Sequence, residues 1–239
     1  MTAIYVTAIY KIYDRPYADE VWSRFQTLAE RVPIYLFCSA EDVPRAMVIA
    51  DATNNVTVHV KEFETFACHP ILLKAPNLPE KRSEEKDTHN FMILMNAKTE
   101  CLKLAKDAHP EHDYYVWLDA GISKIFTIPM ASFAYLTRTM PLIQTDKIII
   151  PGCWDYTVQG ILVTKYVNWR FCGGFFIVPR QHVDTFHTKM ICAIEEVVSA
   201  ADCAIWETNV WAYMELRLPI KWMHGDHNET LFVILEQMK

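Results

Sequence analysis

Short segments rich in β-branched and aromatic residues alternate with amphipathic segments, and this alternation constrains the fold more than any other feature of the sequence. Residues 3–10, Ile34–Cys38 and Val56–Val60 have the composition of buried strands. Between the first two, apolar residues recur at steps of one, three and four over residues 21–32, which predicts a helix that Pro33 ends. Residues 43–50 predict a short helix or turn. Alternating strands and helices predict an α/β protein with a central sheet flanked by helices.

The same alternation continues to the end of the chain. A capped helix is predicted from Asp87 or Thr88 to about residue 108. We expect its inward residues to be Phe91, Leu94, Met95, Leu102 and Ala105. Further strands are predicted at 113–118, 147–151, 173–178 and 220–223, and further helices at 131–139, 180–200 and 207–218. The sequence has one polar interruption, at residues 74–88, and contains no linker or repeat. It therefore predicts a single domain over residues 1–239.

Composition and charge argue against several classes of function. The 239 residues carry 23 Lys and Arg against 29 Asp and Glu, so the net charge is −6, and no basic run with interleaved aromatics predicts nucleic-acid binding. No apolar stretch approaches the roughly 18–20 residues that span a bilayer. Without a secretory pattern at the N-terminus, we expect a cytoplasmic, soluble protein. The seven cysteines show no zinc spacing and are expected to be reduced core thiols.

A carboxylate follows the most apolar strand of the sequence. Residues 114–118 lead into Asp119, Ala120 and Gly121. Because the carboxyl ends of strands line the ligand crevice of open α/β sheets, Asp119 could bind a metal on a diphosphate or accept hydrogen bonds from sugar hydroxyls. Capping of the next helix is an equally good interpretation of Asp119.

Three later segments could also carry chemistry. Gly173 and Gly174 precede an apolar strand and would let a ligand approach the backbone, or mark a bulge without a ligand. Glu207 starts a predicted helix, either as a general base or as a carboxylate that complements the helix dipole. His224, Asp226 and His227 could bind metal or phosphate, although an exposed polar loop explains them equally well.

Isolated polar and cationic residues give weaker signals. Thr7, Ala8 and Tyr10 at the end of the first strand, with Arg15 after them, could hold a nucleotide. Lys98, soon after Asn90, could reach a phosphate, although such cations are commonly solvated. The sequence contains no phosphate-binding Gly-x-x-x-x-Gly-Lys-Ser/Thr loop, no Gly-x-Gly-x-x-Gly turn and no Gly-x-Ser-x-Gly elbow.

In chain order these segments resemble glycosyltransferases of the GT-A fold, and most closely the HtrL/YibB-like family of bacteria and large DNA viruses. The matching segments are Thr7-Ala8-Ile9-Tyr10, Trp117-Leu118-Asp119-Ala120-Gly121, Cys172-Gly173-Gly174-Phe175-Phe176, and the Glu207 helix with residues 224–229. The resemblance implies a single Rossmann-like domain with a mixed central sheet. Residues 1–121 would form its nucleotide-binding half, and residues 122–239 its acceptor and catalytic half.

The resemblance implies transfer of a sugar from a nucleotide sugar, expected to be a uridine diphosphate sugar, to a hydroxyl of a glycan acceptor. Asp119 would take the place of the Asp-x-Asp motif that binds Mn²⁺ or Mg²⁺, with His224 as its partner. Because Gly121 occupies the second acidic position, metal-independent transfer is the alternative, with Arg15 and Lys98 neutralising the leaving diphosphate. The residues expected to bind the donor are Thr7, Ala8, Tyr10, Arg15, Asn90, Lys98, Trp117, Leu118, Asp119, Gly121, Gly173 and Gly174.

The resemblance also implies a catalytic carboxylate. Glu207 is expected to be the general base of an inverting transfer, with Asp155 and Asp226 as alternative bases. Two other functions stay open. One is a non-catalytic module that binds a sugar nucleotide or glycan, which the incomplete Asp-x-Asp motif suggests. The other is a metal-dependent hydrolase that uses His224, Asp226 and His227.

Overall fold

The protein is built on one seven-stranded sheet. A computed structural model describes residues 2–13, 17–155, 164–228 and 230–238. The strand order across the sheet is β3-β2-β1-β4-β6-β5-β7. The strands are β1 (Ala3–Ala8), β2 (Ile34–Cys38), β3 (Val56–Val60), β4 (Tyr114–Leu118), β5 (Ile148–Gly152), β6 (Phe175–Pro179) and β7 (Ile220–His224).

The direction of β6 determines which segments meet at one edge of the sheet. Strand β6 runs antiparallel to both of its neighbours, β4 and β5, whereas every other strand pair is parallel. The carboxyl ends of the six other strands therefore lie at the same edge as the amino end of β6. We call this the carboxyl edge. It collects the segments that follow β1, β4, β5 and β7 together with the glycines that precede β6.

Helices cover both faces of the sheet. They are α1 (Tyr17–Ala29), α2 (Val43–Thr53), α3 (His69–Leu72), α4 (His89–Asn96), α5 (Lys98–Ala108), α6 (Pro129–Ala134), α7 (Val183–Ala201), α8 (Glu207–Met214) and α9 (Thr230–Val233). One core layer lies between the sheet and helices α4, α5, α7 and α8, and the other lies between the sheet and helices α1, α2 and α9.

Strand β4 shows how the sequence fills both core layers. Successive side chains of a strand point to opposite faces. Tyr115 and Trp117 accordingly join the layer beneath α5, whereas Tyr114, Val116 and Leu118 join the layer beneath α1. Burying one large apolar side chain contributes about 1.5–3 kcal/mol, so this fully apolar strand anchors both layers.

The predicted α/β class with a mixed sheet is confirmed, and the predicted strands all form within two residues of their expected bounds. The predicted long helix over 88–108 is wrong in one respect, because it bends at Ala97 and forms α4 and α5. The amide nitrogen of Asn96 donates to the carbonyls of Met92 and Ile205, 2.8 Å away in each case. A side chain that bonds back to its own helix while holding a distant segment favours such a bend.

The residues expected to face inward are only partly confirmed in α4. Phe91 and Leu94 are half-buried and pack against the core, Met95 is half-buried, and the fully buried apolar residues are Met92 and Ile93. In α5 the expected residues Leu102 and Ala105 are buried as predicted. The predicted cap is confirmed, since the Thr88 hydroxyl accepts a hydrogen bond from the Phe91 amide at 3.2 Å.

Two further sequence expectations concern membranes and cysteines. Within the described residues, no helix is both long enough and apolar enough to cross a bilayer. All seven cysteines are free thiols, and five of them are buried as expected for core residues. Cys153 is half-buried and Cys192 is exposed.

Replacing Gly152 by alanine is expected to destabilise the fold. A Cβ at Gly152, in β5, would lie 1.7 Å from the carbonyl oxygen of Arg170, which is backbone and cannot swing away. We expect the free energy of unfolding to fall by about 1–3 kcal/mol, as is usual for overpacking. Urea denaturation measures it. Gly121→Ala is the matched control, because nothing lies within 4 Å of a Cβ there. Equal stability of the two variants would contradict the packing.

Candidate active site

A buried lysine lies at the centre of the polar groups of the carboxyl edge. Lys98, the first residue of α5, is only 1% exposed. Its ammonium Nζ donates to the carbonyl of Gly173 at 2.9 Å and to Glu207 Oε1 at 2.8 Å, and it lies 3.3 Å from Asp119 Oδ1. An ammonium has three hydrogens to donate, so these three acceptors satisfy Lys98 completely. We call Lys98, Asp119 and Glu207 the charged triad.

Asp119 is the member of the charged triad that faces solvent. Its Oδ1 accepts a hydrogen bond from Trp117 Nε1 at 2.7 Å, and its backbone amide donates to the Gly174 carbonyl at 2.9 Å. The side chain is 38% exposed, and no hydrogen bond from the described part of the chain reaches Oδ2. Asp119 therefore presents one fixed oxygen inward and one oxygen to a ligand.

The fold brings the triad together from three separate elements. Asp119 follows β4, whose neighbour β6 begins just after Gly174. Glu207 is the first residue of α8 and is buried. Asn96 ties the end of α4 to the Ile205 carbonyl, two residues before Glu207, so the starts of α5 and α8 are held side by side.

Gly173 is required by the triad itself. A Cβ at this position would lie 2.0 Å from Glu207 Oε1 and 3.0 Å from Lys98 Nζ. A Cβ at Gly174 would lie 3.5 Å from Asp119 Oδ2. The two predicted glycines therefore serve different ends, since Gly173 makes room for the buried ion pair and Gly174 lies next to the outward carboxylate oxygen.

The electrostatics of the triad keep Lys98 charged. Burial alone would lower the pKa of Lys98, but the adjacent carboxylates of Asp119 and Glu207 raise it above its ordinary value. The triad thus holds two carboxylates and one ammonium. Because all three ammonium hydrogens are directed at protein oxygens, Lys98 has none left for the phosphate contact predicted from the sequence.

The structure separates the two histidines of the C-terminal segment. His224 is exposed at the end of β7, three strand spacings from β4, or roughly 14 Å between backbones. His227 lies in the loop that follows, with its ring 4.4 Å edge-to-face from Trp169. Desolvation lowers the pKa of His227, while the charges of Asp226, Asp119 and Glu207 act to raise it. The charge of Asp119 therefore acts on His227.

Few side chains at the carboxyl edge could bind a divalent metal ion. In the part of the chain that the structure describes, no group of three or more His, Cys, Asp or Glu is arranged to hold a metal. Asp119 Oδ2 and the ring of His227, on which the charge of Asp119 acts, are the candidate ligands. Mg²⁺ and similar ions are commonly bound by one or two carboxylates, with substrate phosphates and water completing the shell. The residues therefore fit a metal that a bound diphosphate helps to hold.

The other predicted site residues are distributed as follows. Thr7 and Leu118 are fully buried within strands, and Tyr10 donates its hydroxyl to the Lys61 carbonyl at 2.9 Å. Ala8 is half-buried at the end of β1, and Asn90 is exposed on the first turn of α4. Arg15 lies outside the described residues. The predicted residues that the structure gathers are Lys98, Trp117, Asp119, Gly173, Gly174 and Glu207, with Gly121 close by in sequence.

Comparisons with known proteins support the fold. No protein-family profile matches the sequence, and no curated protein is significantly similar to it. The structure of mouse xyloside xylosyltransferase 1 is similar over 94% of this chain and 85% of that protein, with 8% sequence identity and a TM-score of 0.53. This similarity shows a shared fold, and that fold is the one the sequence predicts. The more specific resemblance to the HtrL/YibB-like family stays a prediction.

Two other solved structures are similar at a lower level. One is a glycosyltransferase involved in glycosylation of the major capsid of PBCV-1, with a TM-score of 0.41 and 13% identity over 94% of this chain and 81% of that one. The other is 4-diphosphocytidyl-2C-methyl-D-erythritol synthase from Anaerococcus prevotii, with a TM-score of 0.44 and 10% identity over 99% of this chain and 95% of that one. TM-scores below 0.5 are too low to establish a relationship.

Removing the ammonium from the triad is expected to destabilise the protein strongly. Lys98→Met leaves Glu207 buried without its cation, which typically costs about 3–5 kcal/mol. A buried carboxyl without a partner has a raised pKa, so its protonated form is the stable one, and the loss shrinks as pH falls from 7 to 5. Urea denaturation at both values measures the difference.

Two variants control this experiment. Lys98→Met/Glu207→Gln removes the charge of both partners and is expected to recover much of the lost stability. Lys103→Met removes a surface lysine of the same helix that pairs with Asp107, and is expected to cost less than about 1 kcal/mol. A loss for Lys98→Met no larger than that for Lys103→Met would show that the triad is not a buried ion pair in solution.

Proposed function

We propose that this protein is a glycosyltransferase that moves a sugar from a nucleotide-sugar donor, expected to be a uridine diphosphate sugar, to a hydroxyl of a glycan acceptor. The observation that carries the proposal is the position of the Asp119 carboxylate. Its outward oxygen is fixed at the carboxyl edge by a buried lysine and a tryptophan N–H. The fold shared with a xylosyltransferase supports the same class of reaction. Open α/β sheets bind ligands at the carboxyl edge, and Asp119 lies at this edge.

Asp119 is the residue that we propose to orient the donor. Trp117 and Lys98 hold Oδ1, so the carboxylate cannot rotate freely, and Oδ2 faces the space next to Gly174. Transfer requires the donor to be held with its anomeric carbon open to the acceptor. A rigid carboxylate that needs no rearrangement on binding satisfies this requirement better than a flexible surface group.

A divalent metal ion, Mn²⁺ or Mg²⁺, would be held by Asp119 Oδ2, His227 and the diphosphate of the donor. When bound it would neutralise negative charge that develops on the leaving diphosphate. His227 is suited to this position because its lowered pKa favours the neutral ring, which is the form that binds metals. Arg15, which the sequence predicts to bind phosphate, is proposed to neutralise the same negative charge on the leaving diphosphate.

We propose that Glu207 positions Lys98 and, through it, Asp119. Its Oε1 accepts from the Lys98 ammonium, and the residue is 4% exposed, so an acceptor hydroxyl has little access to it. The sequence predicts a general base here, and an inverting transfer still needs one. The alternative bases Asp155 and Asp226 are exposed near the ends of β5 and β7, so both carboxylates are open to solvent.

The proposed function is tested by screening nucleotide sugars. The protein is incubated with each donor, with and without Mn²⁺, and thermal stabilisation is followed by an assay for released nucleotide. We expect one uridine diphosphate sugar to stabilise the protein and to be turned over. Stabilisation without nucleotide release, even with a range of glycan acceptors, would identify a binding module. Release that is independent of any acceptor would favour a hydrolase, and no response to any nucleotide would refute the proposal.

Glu207→Gln separates a positioning residue from a general base. If Glu207 is a positioning residue, Glu207→Gln is expected to weaken donor affinity and to lower turnover, each by about 10–100-fold, while the acid limb of the pH–rate profile stays in place. If Glu207 is the general base, the same substitution is expected to lower kcat by about 10²–10⁴-fold at unchanged donor affinity and to abolish that limb. Steady-state kinetics between pH 5 and 9 decide between them. Glu195→Gln, an exposed carboxylate on α7, is the control and is expected to match the unmodified protein.

His227→Ala and His224→Ala separate the two candidate metal ligands. Mn²⁺ affinity in the presence of uridine diphosphate, measured by electron paramagnetic resonance, is expected to fall about tenfold or more in His227→Ala and to stay unchanged in His224→Ala. The readout does not depend on turnover. A loss confined to His224→Ala would restore the pair predicted from the sequence, and equal binding by all three proteins would remove histidine from the site.

A further inference from the structure

Two cysteines meet at the carboxyl edge beside the charged triad. Cys153 directly follows β5, and Cys172 directly precedes Gly173 and Gly174. Their sulfur atoms are 3.7 Å apart. Within the described residues, which include all seven cysteines, no other pair of thiols makes such a contact.

Backbone hydrogen bonds hold the segments of the two cysteines side by side. The Cys153 amide donates to the Trp169 carbonyl at 2.9 Å, and the Cys172 amide donates to the Pro151 carbonyl at 2.7 Å. The two segments are therefore hydrogen-bonded neighbours. A disulfide needs a sulfur separation of about 2.05 Å, so the sulfurs must approach by about 1.7 Å. Rotation about the Cα–Cβ bond of each cysteine is the movement that would bring the two sulfurs together.

Each thiol also contacts the loop that carries His227. The Cys153 sulfur donates to Asp226 Oδ1 at 3.1 Å, and the Cys172 sulfur donates to the Gly225 carbonyl at 3.5 Å. Asp226 Oδ1 accepts the amide of His227 at 2.6 Å as well. Oxidation of the pair would remove both thiol donors, so the loop would lose two of the hydrogen bonds that hold it on the edge.

Formation of the disulfide would also affect the charged triad, on the other side of the cysteine pair. Cys172 is followed by Gly173, whose carbonyl accepts from Lys98. Gly173 has no space to move toward the triad, because even a Cβ there would lie 2.0 Å from Glu207 Oε1. Any shift of residue 172 is therefore transmitted to the contact between Gly173, Lys98 and Glu207.

We propose that Cys153 and Cys172 form a reversible disulfide that controls the candidate active site. The oxidant is a low-molecular-weight disulfide such as oxidised glutathione. The half-buried Cys153 thiolate attacks it, forming a mixed disulfide and releasing one glutathione thiolate. The Cys172 thiolate then displaces the second glutathione, so two protein thiols are oxidised and one glutathione disulfide is reduced to two thiols. The oxidised protein has a loosened His227 loop and a displaced Gly173.

The bond itself is tested by peptide mapping. The reduced full-length protein is incubated with oxidised glutathione, alkylated, digested and analysed without reduction. We expect a peptide linking Cys153 to Cys172, and its loss in Cys153→Ser and in Cys172→Ser. Burial raises the pKa of Cys153 to about 11, so the incubation is carried out for hours near a pH of about 8.5. Cys192→Ser, which removes an exposed thiol of α7, is the control and keeps the link.

Control of the site is tested separately on the same samples. Hydrogen–deuterium exchange of residues 225–228 is expected to become faster on oxidation, reversibly with dithiothreitol, and only when both cysteines are present. Affinity for the nucleotide sugar is expected to fall about fivefold or more, and this last expectation rests on the proposed function.

Three outcomes would overturn the proposal: a stable mixed disulfide on Cys153 without the internal link, links only between other cysteines, or a link that leaves exchange unchanged. Failure of the reduced protein to bind any nucleotide sugar would count against the proposed function alone, since peptide mapping and exchange do not depend on a ligand.

Discussion

One buried ammonium group holds the carboxyl edge together. Lys98 is removed from water and is stable there only because three oxygens from three separate elements surround it. Those oxygens come from the start of β6, the start of α8 and the residue after β4. Each contact fixes one of these segments relative to the others, so the geometry of Asp119 depends on groups that no ligand is expected to touch. Gly173 lacks a side chain because the ion pair occupies that space.

The fold could be predicted because each strand and helix depends mainly on the residues of its own short segment. Runs such as Tyr114–Leu118 are apolar, β-branched and aromatic, and nothing but a buried strand suits them. The antiparallel direction of β6 is not encoded in this way, because a strand reads the same in either direction. The bend at Ala97 was equally hidden, since it depends on a hydrogen bond from Asn96 to Ile205, and these residues are far apart in the sequence.

The site was predictable only in its parts. Asp119, Gly173 and Glu207 each follow a recognisable pattern, but their common partner does not, because a lone lysine in a helical segment normally lies in solvent. The sequence does place Lys98 in the site, as a phosphate contact, but its burial, which extends over residues 96–102, appears only in the folded structure. The pairing of Asp119 with His224 stays a prediction. The structure adds His227 as a second candidate, because its loop is held by contacts with Cys153 and Trp169 and the charge of Asp119 acts on the pKa of its ring.

The distances along the chain between Lys98 and its partners have a consequence for synthesis. The Gly173 carbonyl is 75 residues away from Lys98, and the Glu207 carboxylate is 109 residues away. A ribosome delivers β1 to β4 long before α8 leaves the exit tunnel. Before Gly173 and Glu207 are made, Lys98 has Asp119 alone among its three partners, and water must take the place of the other two oxygens. The three contacts of Lys98 are therefore complete only after α8 has been synthesised.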